Sequence, residues 1–504
     1  MKESYIKKIL QANVYDVAIE SPLDFARCLS QKCGNQIWLK REDLQPIFSF
    51  KLRGAYNKIS KLSAEQKKCG IITASAGNHA QGVALAAEKL ALKAVIVMPV
   101  TTPEIKVASV RARGAEVVLH GDTFDVAYTH SLKLQAEHGY VYVHPYDDPD
   151  VIAGQGTIGM EIIRQSHEPI DAVFIPVGGG GLIAGMSAYI KYISPSTKVI
   201  GVEAEDSACL KAAMEAGKRI RLPTVGIFAD GVAVQEMGKE TFAVAIDCVD
   251  EVITATTDEI CAAIKDIFED TRSVAEPAGA LAVAGLKNYV AKNNLKGACL
   301  VAIVSGANIN FSRLRYICER TELGEKKEAL LAVTIPEQPG SFRDFCHMLG
   351  KRNITEFNYR YSAKESAHVF VGVQMNNRTI ELPALILDLQ CQGYGVIDLS
   401  DNEMSKLHVR HLVGGRAPQN VDDEIIFRFE FPERPGALMD FLNGLGFRWN
   451  ISLFHYRNQG SAFGRVLVGF QARKNQKEVR EYLVSLDYPF WEETENPAYK
   501  LFLG

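Results

Sequence analysis

The sequence predicts an α/β protein in two parts: a large parallel α/β unit with two lobes, then a smaller α+β unit made of two repeats. Three observations predict this architecture. Short β-branched runs alternate with Ala-rich, helix-periodic stretches from about residue 20 to 320. The composition changes at a charged stretch, residues 321–328. After that stretch, one pattern of strand, helix, strand and strand occurs twice.

The composition is that of a globular protein and excludes several classes of function. The chain has 504 residues, 47% of them hydrophobic and 23% charged, a length that suggests about three domains. A net charge of −4 argues against nucleic acid as a partner. The longest apolar runs are strand-sized, and the N-terminus lacks the features of a signal peptide, so no membrane partner is expected. The ten cysteines form no CxxC pair and the histidines show no metal-ligand spacing, which favours a cytoplasmic protein without a metal site.

The first 320 residues contain buried strands interleaved with helices, the pattern of a parallel sheet covered on both faces. The clearest strand candidates are residues 70–74, 93–99, 115–121, 171–177, 198–204 and 298–306. Residues 79–92 and 182–193 have helical periodicity. A unit of this size favours two lobes with a cleft between them. Ligands of such sheets bind at the carboxyl ends of the strands.

The first chemical candidate is Lys51, in the run PIFSFKLRGA (46–55). It lies between Phe50 and Leu52, before a predicted helix. A lysine in apolar surroundings has a lowered pKa, and its neutral amine can form an imine or take a proton. A surface lysine that lays its stem along apolar surface is the alternative.

Three further segments follow predicted strands. The run TASAGNHAQG (73–82) combines small residues and free N–H groups at a helix start, which suit an anion, with the amide of Asn78. Gly178 to Gly181, followed by Leu182, can wrap a phosphate at the start of a helix. Ser305 follows the apolar strand 300–304. An ordinary helix cap is the alternative for the first and third segments.

An amine, a phosphate loop, an amide and a hydroxyl are the groups that pyridoxal phosphate requires. A hydroxyl rather than an acid at the ring nitrogen would favour β-elimination over transamination. The competing interpretation is a nicotinamide-dependent oxidoreductase, because Gly179, Gly181 and Ala184 fit the dinucleotide pattern and Glu203 follows about 20 residues later. That interpretation leaves Lys51 without a role. An amino-acid sensor without catalytic activity, built on the repeats, is the third hypothesis.

The motifs SFKLRGA (49–55), SAGNH (75–79), the four glycines and SGAN (305–308) resemble those of the serine/threonine dehydratases of the tryptophan-synthase-β fold type, or fold type II, across roughly residues 15–320. The resemblance implies that Lys51 binds pyridoxal 5′-phosphate as an imine and removes the substrate Cα proton. It implies further cofactor contacts from Phe50, Asn78 at the 3′-oxygen, Gly178, Gly179, Gly180, Gly181 and Leu182 at the phosphate, and Ser305 at the ring nitrogen. Ser75, Gly77 and His79 would surround the substrate carboxylate. Racemases of this fold have a serine where this chain has Ala76, so racemisation should be poor.

The repeats are similar to the ACT-like modules in the regulatory half of biosynthetic threonine deaminases. Pro336-Glu337-Gln338-Pro339-Gly340 corresponds to Pro432-Glu433-Arg434-Pro435-Gly436, and residues 354–360 correspond to 451–457. The implied organisation is a catalytic domain (1–320), a linker (321–328) and two modules (329–400 and 401–504). Apart from the resemblance, a duplicated module after a complete α/β unit suggests regulation, and dimerisation or stability with no ligand is the alternative.

The resemblance also implies an activity and its control. L-threonine would lose water to give 2-aminocrotonate, which hydrolyses to 2-oxobutyrate and ammonia, with L-serine as a secondary substrate. Isoleucine would inhibit, valine would antagonise that inhibition, and the chain would form a homotetramer. The effector candidates are Tyr359, Arg360, Tyr456 and Arg457. Packing between the modules is the alternative role for their aromatic rings.

Overall fold

In a computed structural model of the chain, residues 2–338, 340–350, 352–361, 365–414, 424–432, 437–445, 449–457, 463–472, 476–486 and 488–503 are described. The chain divides into two compact units, residues 1–321 and 322–504. The predicted order, α/β followed by α+β, is confirmed. The stretch 321–328 contains the last turn of a helix, Arg313–Gly324, and the first residue of a strand, Glu328–Pro336.

The first unit contains ten strands and most of the helices of the described chain. Its strands are β1 (Leu23–Phe25), β2 (Gln36–Arg41), β3 (Ile71–Ala74), β4 (Ala94–Met98), β5 (Glu116–Leu119), β6 (Val141–Tyr142), β7 (Ala172–Pro176), β8 (Lys198–Ala204), β9 (Glu251–Ala255) and β10 (Cys299–Val304). Its helices are α1 (Lys2–Leu10), α2 (Arg27–Cys33), α3 (Lys51–Ser60), α4 (Ala64–Cys69), α5 (Asn78–Leu90), α6 (Glu104–Arg111), α7 (Phe124–His138), α8 (Pro149–Gln165), α9 (Gly181–Ile193), α10 (Cys209–Ala216), α11 (Lys239–Cys248), α12 (Thr257–Thr271), α13 (Pro277–Asn293) and, reaching into the second unit, α14 (Arg313–Gly324).

Two sheets form the two predicted lobes of this unit. The larger has the order β1-β2-β10-β7-β8-β9, parallel except for β1. The smaller is parallel, with the order β5-β4-β3-β6. Strands β7 and β10 are buried along their whole length, because helices cover both faces. Burial on both faces explains why these strands are continuous apolar runs in the sequence.

Helix α3, which begins with Lys51, is fixed by close packing and by buried charge. A Cβ on Gly154 of α8 would lie 2.7 Å from the Arg53 carbonyl oxygen, so glycine is required for this helix contact. The fully buried guanidinium of Arg53 lies 2.7 Å from Glu42 and 2.5 Å from Glu161. The motif arginine therefore anchors the helix that carries Lys51.

The second unit contains both repeats. Its strands are β11 (Glu328–Pro336), β12 (Ile354–Arg360), β13 (Ser366–Gln374), β14 (Gly395–Asp398), β15 (Glu424–Pro432), β16 (Asn450–Arg457), β17 (Phe463–Gln471) and β18 (Phe490–Glu492). Its helices are α15 (Ser341–Leu349), α16 (Arg378–Cys391), α17 (Glu403–Leu407), α18 (Ala437–Leu445), α19 (Gln476–Ser485) and α20 (Pro497–Phe502).

The repeats share one antiparallel sheet, with the order β14-β11-β13-β12-β16-β17-β15-β18. Strands β12 and β16 pair with each other and join the two modules, with Tyr359 opposite Phe454. The predicted strand–helix–strand–strand pattern is confirmed in both copies. The turn residues Pro339 and 433–436 lie outside the described residues.

Candidate active site

The predicted site residues of the first unit lie at helix starts or in loops, most of them at the carboxyl ends of parallel strands. Lys51 begins α3, Asn78 begins α5 after β3, and Gly181 begins α9 after β7. Ser305 follows β10 directly. The backbone joins two of these segments, since Phe50 N donates to Ser305 O at 3.3 Å and Ser49 forms a β-bridge with Gly306.

The Lys51 amine occupies a desolvated position in this cleft. Its Nζ donates to the carbonyl oxygen of Pro145 at 3.0 Å and lies 5.3 Å from the centre of the Phe50 ring. Desolvation lowers the pKa of Lys51 to about 8, although the charge of Glu276 acts in the opposite direction. About one tenth of the amine is therefore neutral at pH 7, far more than for an ordinary lysine, and the neutral form is the one that a nucleophile or base requires.

The side chain of Asn78 is held at both ends. Its Nδ2 donates to Glu276 Oε1 at 2.6 Å, and its Oδ1 accepts from Asn308 Nδ2 at 2.7 Å. Asn308 also donates to the carbonyl oxygen of Ile47 at 2.8 Å. The side-chain amide of Asn78 therefore has a donor and an acceptor fixed on either side, and these contacts set its orientation.

The loop before α5 contains the residues predicted to surround the carboxylate. Ser75 Oγ accepts from the backbone N–H groups of Gly77 and Ala80, both at 3.3 Å, so the hydroxyl helps to cap the helix. Buried His79 lies with Nε2 3.0 Å from the Val143 carbonyl oxygen, which can only accept, so Nε2 donates. Burial, with a smaller effect from Lys51, lowers the pKa of His79 to about 3. The ring is therefore neutral and is not a charged partner for a carboxylate.

The four glycines form a tightly enclosed turn before α9. A Cβ on Gly179 would lie 2.3 Å from the ring of Tyr146, and one on Gly180 would lie 2.3 Å from Met237 Cε. Gly180 has a φ of 92°, in the left-handed region that glycine favours. Buried Thr241 donates to the Gly179 carbonyl oxygen at 2.7 Å and holds the turn from behind.

These residues fit pyridoxal phosphate. The turn has no room for side chains and precedes a 13-residue helix, an arrangement that suits a phosphate. A desolvated amine and a fixed amide lie in the same cleft. Buried Ser305, whose Oγ donates to the carbonyl oxygen of Ala278 at 3.3 Å, adds a hydroxyl at the third strand end.

Glu203 does not suit the nicotinamide interpretation. Its fully buried carboxylate accepts from the backbone N–H groups of Leu210 at 2.7 Å and Lys211 at 2.9 Å, and so it caps α10. A carboxylate occupied in this way does not reach a ribose. Spacing along the sequence could not distinguish these two uses of an acid after a strand.

Sequence reasoning missed two buried residues of this cleft. Glu276 contacts Asn78, and Thr241 supports the glycine turn. Glu276 precedes a proline and a helical run, which is typical of a helix start, so nothing in the sequence distinguished it. Thr241 lies inside a helical pattern far from every motif, and only the folded chain brings it to Gly179.

In the second unit, the four effector candidates do not share one environment. Tyr359 lines a cleft together with Glu337, Ser341, Phe342, Arg343 and Trp449. Its hydroxyl donates to Glu337 Oε1 at 2.7 Å. Arg360, the next residue of the strand, binds Glu424 with two hydrogen bonds, of 2.7 and 3.1 Å, away from that cleft. Tyr456 is buried in the core shared by the modules, and the side chain of Arg457 lies outside the described part of the chain.

The described residues provide neither a metal site nor a membrane-spanning helix. Within them, no group of His, Cys, Asp and Glu side chains could hold a metal ion. No helix in the same ranges is long and apolar enough to cross a membrane.

Comparisons with known proteins agree with this geometry. Residues 15–306 match the family of pyridoxal-phosphate dependent enzymes, and residues 319–409 and 415–503 match the C-terminal regulatory domain of threonine dehydratase. The biosynthetic L-threonine dehydratase IlvA of Burkholderia multivorans is 55% identical over 504 residues, which cover 99% of each chain. That of Escherichia coli is 53% identical over 99% of this chain and 97% of its own.

Solved structures resemble the chain over about three fifths of its length. The processed form of threonine deaminase isoform 2 from Solanum lycopersicum is 52% identical, with a TM-score of 0.62, covering 63% of this chain and 93% of that one. Maize serine racemase is 31% identical, with a TM-score of 0.58, covering 62% and 95%.

Proposed function

Because the chain belongs to the biosynthetic L-threonine dehydratases, which are pyridoxal-phosphate enzymes, we propose that it converts L-threonine to 2-oxobutyrate and ammonia. The observation that carries this proposal is the desolvated Lys51 amine, in one cleft with the fixed amide of Asn78. Catalysis is assigned to residues 1–320 and regulation to the two modules, residues 329–400 and 401–504, after the linker 321–328.

The cofactor would be held at four points. Lys51 would bind it through Nζ beside the ring of Phe50, and Asn78 would donate to the 3′-oxygen. The N–H groups of Gly178 to Gly181 and Leu182 would bind the phosphate, and Ser305 would meet the ring nitrogen. When bound, pyridoxal phosphate withdraws electrons from the substrate Cα and stabilises the charge left there by loss of a proton. A neutral hydroxyl at the ring nitrogen keeps this withdrawal moderate, which favours elimination.

The protein residues bind the substrate and move its proton. Ser75 and Gly77 lie at the N-terminus of α5, whose backbone N–H groups attract the substrate carboxylate. Neutral His79 shapes the loop behind it. Lys51 takes the Cα proton, for which its lowered pKa suits it. Loss of the β-hydroxyl and hydrolysis then yield 2-oxobutyrate and ammonia.

Elimination rather than racemisation follows from Ala76. A racemase must return a proton to the face of Cα opposite the lysine, and that step needs a proton carrier on that face. Ala76 has no exchangeable proton on its side chain, so the opposite face is left without the hydroxyl found in racemases of this fold. L-serine, which has the same β-hydroxyl as L-threonine, is expected to react as a secondary substrate.

In this proposal, isoleucine inhibits the deamination by binding to the second unit, and valine antagonises that inhibition. The cleft beside Tyr359 supports this proposal, because it offers what a free branched-chain amino acid requires. Glu337 suits the ammonium group, the N-terminus of α15 suits the carboxylate, and Phe342 and Trp449 suit the apolar side chain. Tyr456 occupies the corresponding strand of the other module, while Arg360 acts through its ion pair with Glu424.

The enzyme is proposed to act in the cytoplasm as a homotetramer. The cysteine usage, ten residues without a CxxC pair, suits a reducing compartment. The homotetramer is proposed from the resemblance to biosynthetic threonine deaminases.

The test is production of 2-oxobutyrate from L-threonine by the purified chain across a titration with isoleucine. Turnover that falls sigmoidally with isoleucine supports the catalytic and regulatory proposals together. Turnover that is indifferent to isoleucine would leave the reaction standing and remove the effector assignment. A cofactor-loaded protein that releases no 2-oxobutyrate would contradict the proposed reaction.

A further inference from the structure

Glu276 is a buried acid whose side chain points into the active site rather than serving its own helix. It immediately precedes α13, yet its carboxylate makes no capping bond to that helix. Only 4% of the residue is exposed. Oε1 lies 2.6 Å from Asn78 Nδ2, and a Cβ on Gly306 would lie 2.5 Å from the same oxygen. Glycine at position 306 thus makes room for the carboxylate.

This carboxylate determines which way the Asn78 amide faces. A carboxylate can only accept, so it selects the Nδ2 end of the amide. Asn308 holds the opposite end by donating to Oδ1. With one Nδ2 hydrogen used by Glu276, the second remains for an acceptor in the cleft. Loss of Glu276 would leave the Asn308 bond as the only one of the two to hold this orientation.

The same carboxylate supplies negative charge near Lys51. Its field raises the pKa of Lys51, against the larger opposite effect of burial. Around Glu276 itself, burial and the charge of Asp230 raise its pKa to about 7, whereas the Asn78 bond and Lys106 act in the other direction. His79 and His144 also interact with Lys51. Burial is the main cause that lowers the pKa of both, so neither ring adds a positive charge beside the lysine.

A lysine that takes the Cα proton becomes an ammonium group, here in a partly buried and poorly solvated position. Such a cation is costly unless an opposite charge lies near it. In this step the C–H bond breaks, the proton adds to the Lys51 lone pair, and the electron pair stays with the substrate and cofactor. Glu276 neither gains nor loses a proton in the step. Where Glu276 is ionised, which a pKa of about 7 makes true of about half of the molecules at pH 7 and of more at higher pH, its charge makes the protonated lysine less costly.

We propose that Glu276 is a positioning residue of the active site, which orients the Asn78 amide and supplies the negative charge opposite the Lys51 ammonium. This inference rests on the proposed function, because it assigns the base to Lys51. It extends that function to a residue outside every motif of the sequence. Two effects follow that can be separated: one on geometry, through Asn78, and one on charge, through Lys51.

The test measures how fast pyridoxal phosphate recombines with the cofactor-free full chain as a function of pH, followed by the visible absorbance of the bound cofactor. Recombination needs the neutral amine, so its rate reports the pKa of Lys51. In Glu276→Gln, which keeps the size but removes the charge, the midpoint should move to lower pH by about one unit, the effect of one nearby opposite charge. In Glu276→Asp, the midpoint should stay within a few tenths of a unit of wild type.

Glu203→Gln is the matched control. Glu203 is equally buried in the same lobe and has a pKa raised to about 7 by burial, but it caps α10 instead of contacting Asn78. Its variant should leave the midpoint unmoved. A midpoint that is the same in all four proteins would overturn the proposal, and so would equal shifts in Glu276→Gln and Glu203→Gln.

The pH profile of kcat with L-threonine provides a second readout. Its acidic limb should move in the same direction in Glu276→Gln and remain in place in Glu276→Asp, even where the shorter side chain lowers kcat by losing Asn78. A purely structural role would lower kcat equally at every pH and would contradict the proposal. Recombination requires no substrate, so failure of the wild type to deaminate threonine would refute the proposed function while the charge effect of Glu276 is still measured.

Discussion

Replacing Arg53 by methionine should destabilise the first unit strongly, although Arg53 contacts no expected ligand. Methionine keeps much of the length of the side chain and removes its charge. The five N–H groups of Arg53 make six hydrogen-bond contacts, one of them shared, of which four are to Glu42 and Glu161, and all three side chains are fully buried. Removing one partner from a buried ionic cluster costs about 3–5 kcal/mol, because the other charges stay behind uncompensated.

The expected change in melting temperature follows from the size of the unit. Its 321 residues unfold with an entropy of about 0.7 kcal/mol/K, so this loss lowers Tm by about 4–7 °C. The deficit should depend on pH. Burial acts to raise the pKa of Glu161, but Arg53 and Lys40 outweigh it and lower that pKa. The stabilisation is therefore present above the unfolded pKa, about 4.3, and is lost as pH falls through the folded value.

Calorimetry of the full chain at pH 7 and pH 4 tests this prediction, with Arg113→Met as the matched control. Arg113 forms a 3.1 Å ion pair with Glu88, but that pair is partly exposed and is expected to contribute about 0–1 kcal/mol. If Arg53→Met lowered Tm no more than Arg113→Met, the reasoning about buried charge would be refuted. A deficit that grew at pH 4 would contradict the sign of the pH dependence.

Three further substitutions test the cofactor and effector sites. Gly179→Ala should weaken pyridoxal-phosphate affinity about tenfold or more, because its Cβ would overlap the Tyr146 ring. Gly77→Ala is the control and should leave that affinity unchanged, because a Cβ on Gly77 meets nothing within 4 Å. Equal affinities in the two variants would contradict the turn assignment. Ser305→Ala should lower kcat about tenfold while changing cofactor affinity less, and unchanged kinetics would remove Ser305 from the site. Tyr359→Phe, which loses the bond to Glu337, should raise the half-inhibitory isoleucine concentration several-fold in a threonine deamination assay; Tyr394→Phe, packed on Phe345, should not, and identical inhibition curves would count against the cleft.

Residues whose role depends on local sequence were predictable. The glycine turn, the Asn78 loop and Ser305 each follow a strand that the apolar runs had already indicated. Parallel strands place their carboxyl ends together, and so the sequence was sufficient to group these segments.

Residues whose role depends on long-range contact were not predictable. Arg53 belongs to a motif that suggests chemistry, yet its partners Glu42 and Glu161 make it structural. In the sequence, Glu276 has the position of an ordinary residue before a helix, and only the fold brings it to Asn78. The different environments of Tyr359 and Arg360 could have been foreseen, because successive residues of a strand point to opposite faces of the sheet.

The most direct test of the central claim is to locate the lysine that binds the cofactor. The cofactor-loaded chain is reduced with borohydride, digested, and analysed by peptide mass spectrometry, with Lys51→Ala treated in parallel. We expect a single stable pyridoxyl adduct on Lys51, and neither an adduct nor 2-oxobutyrate formation in the variant. An adduct on another lysine, or threonine deamination that survives Lys51→Ala, would contradict the account.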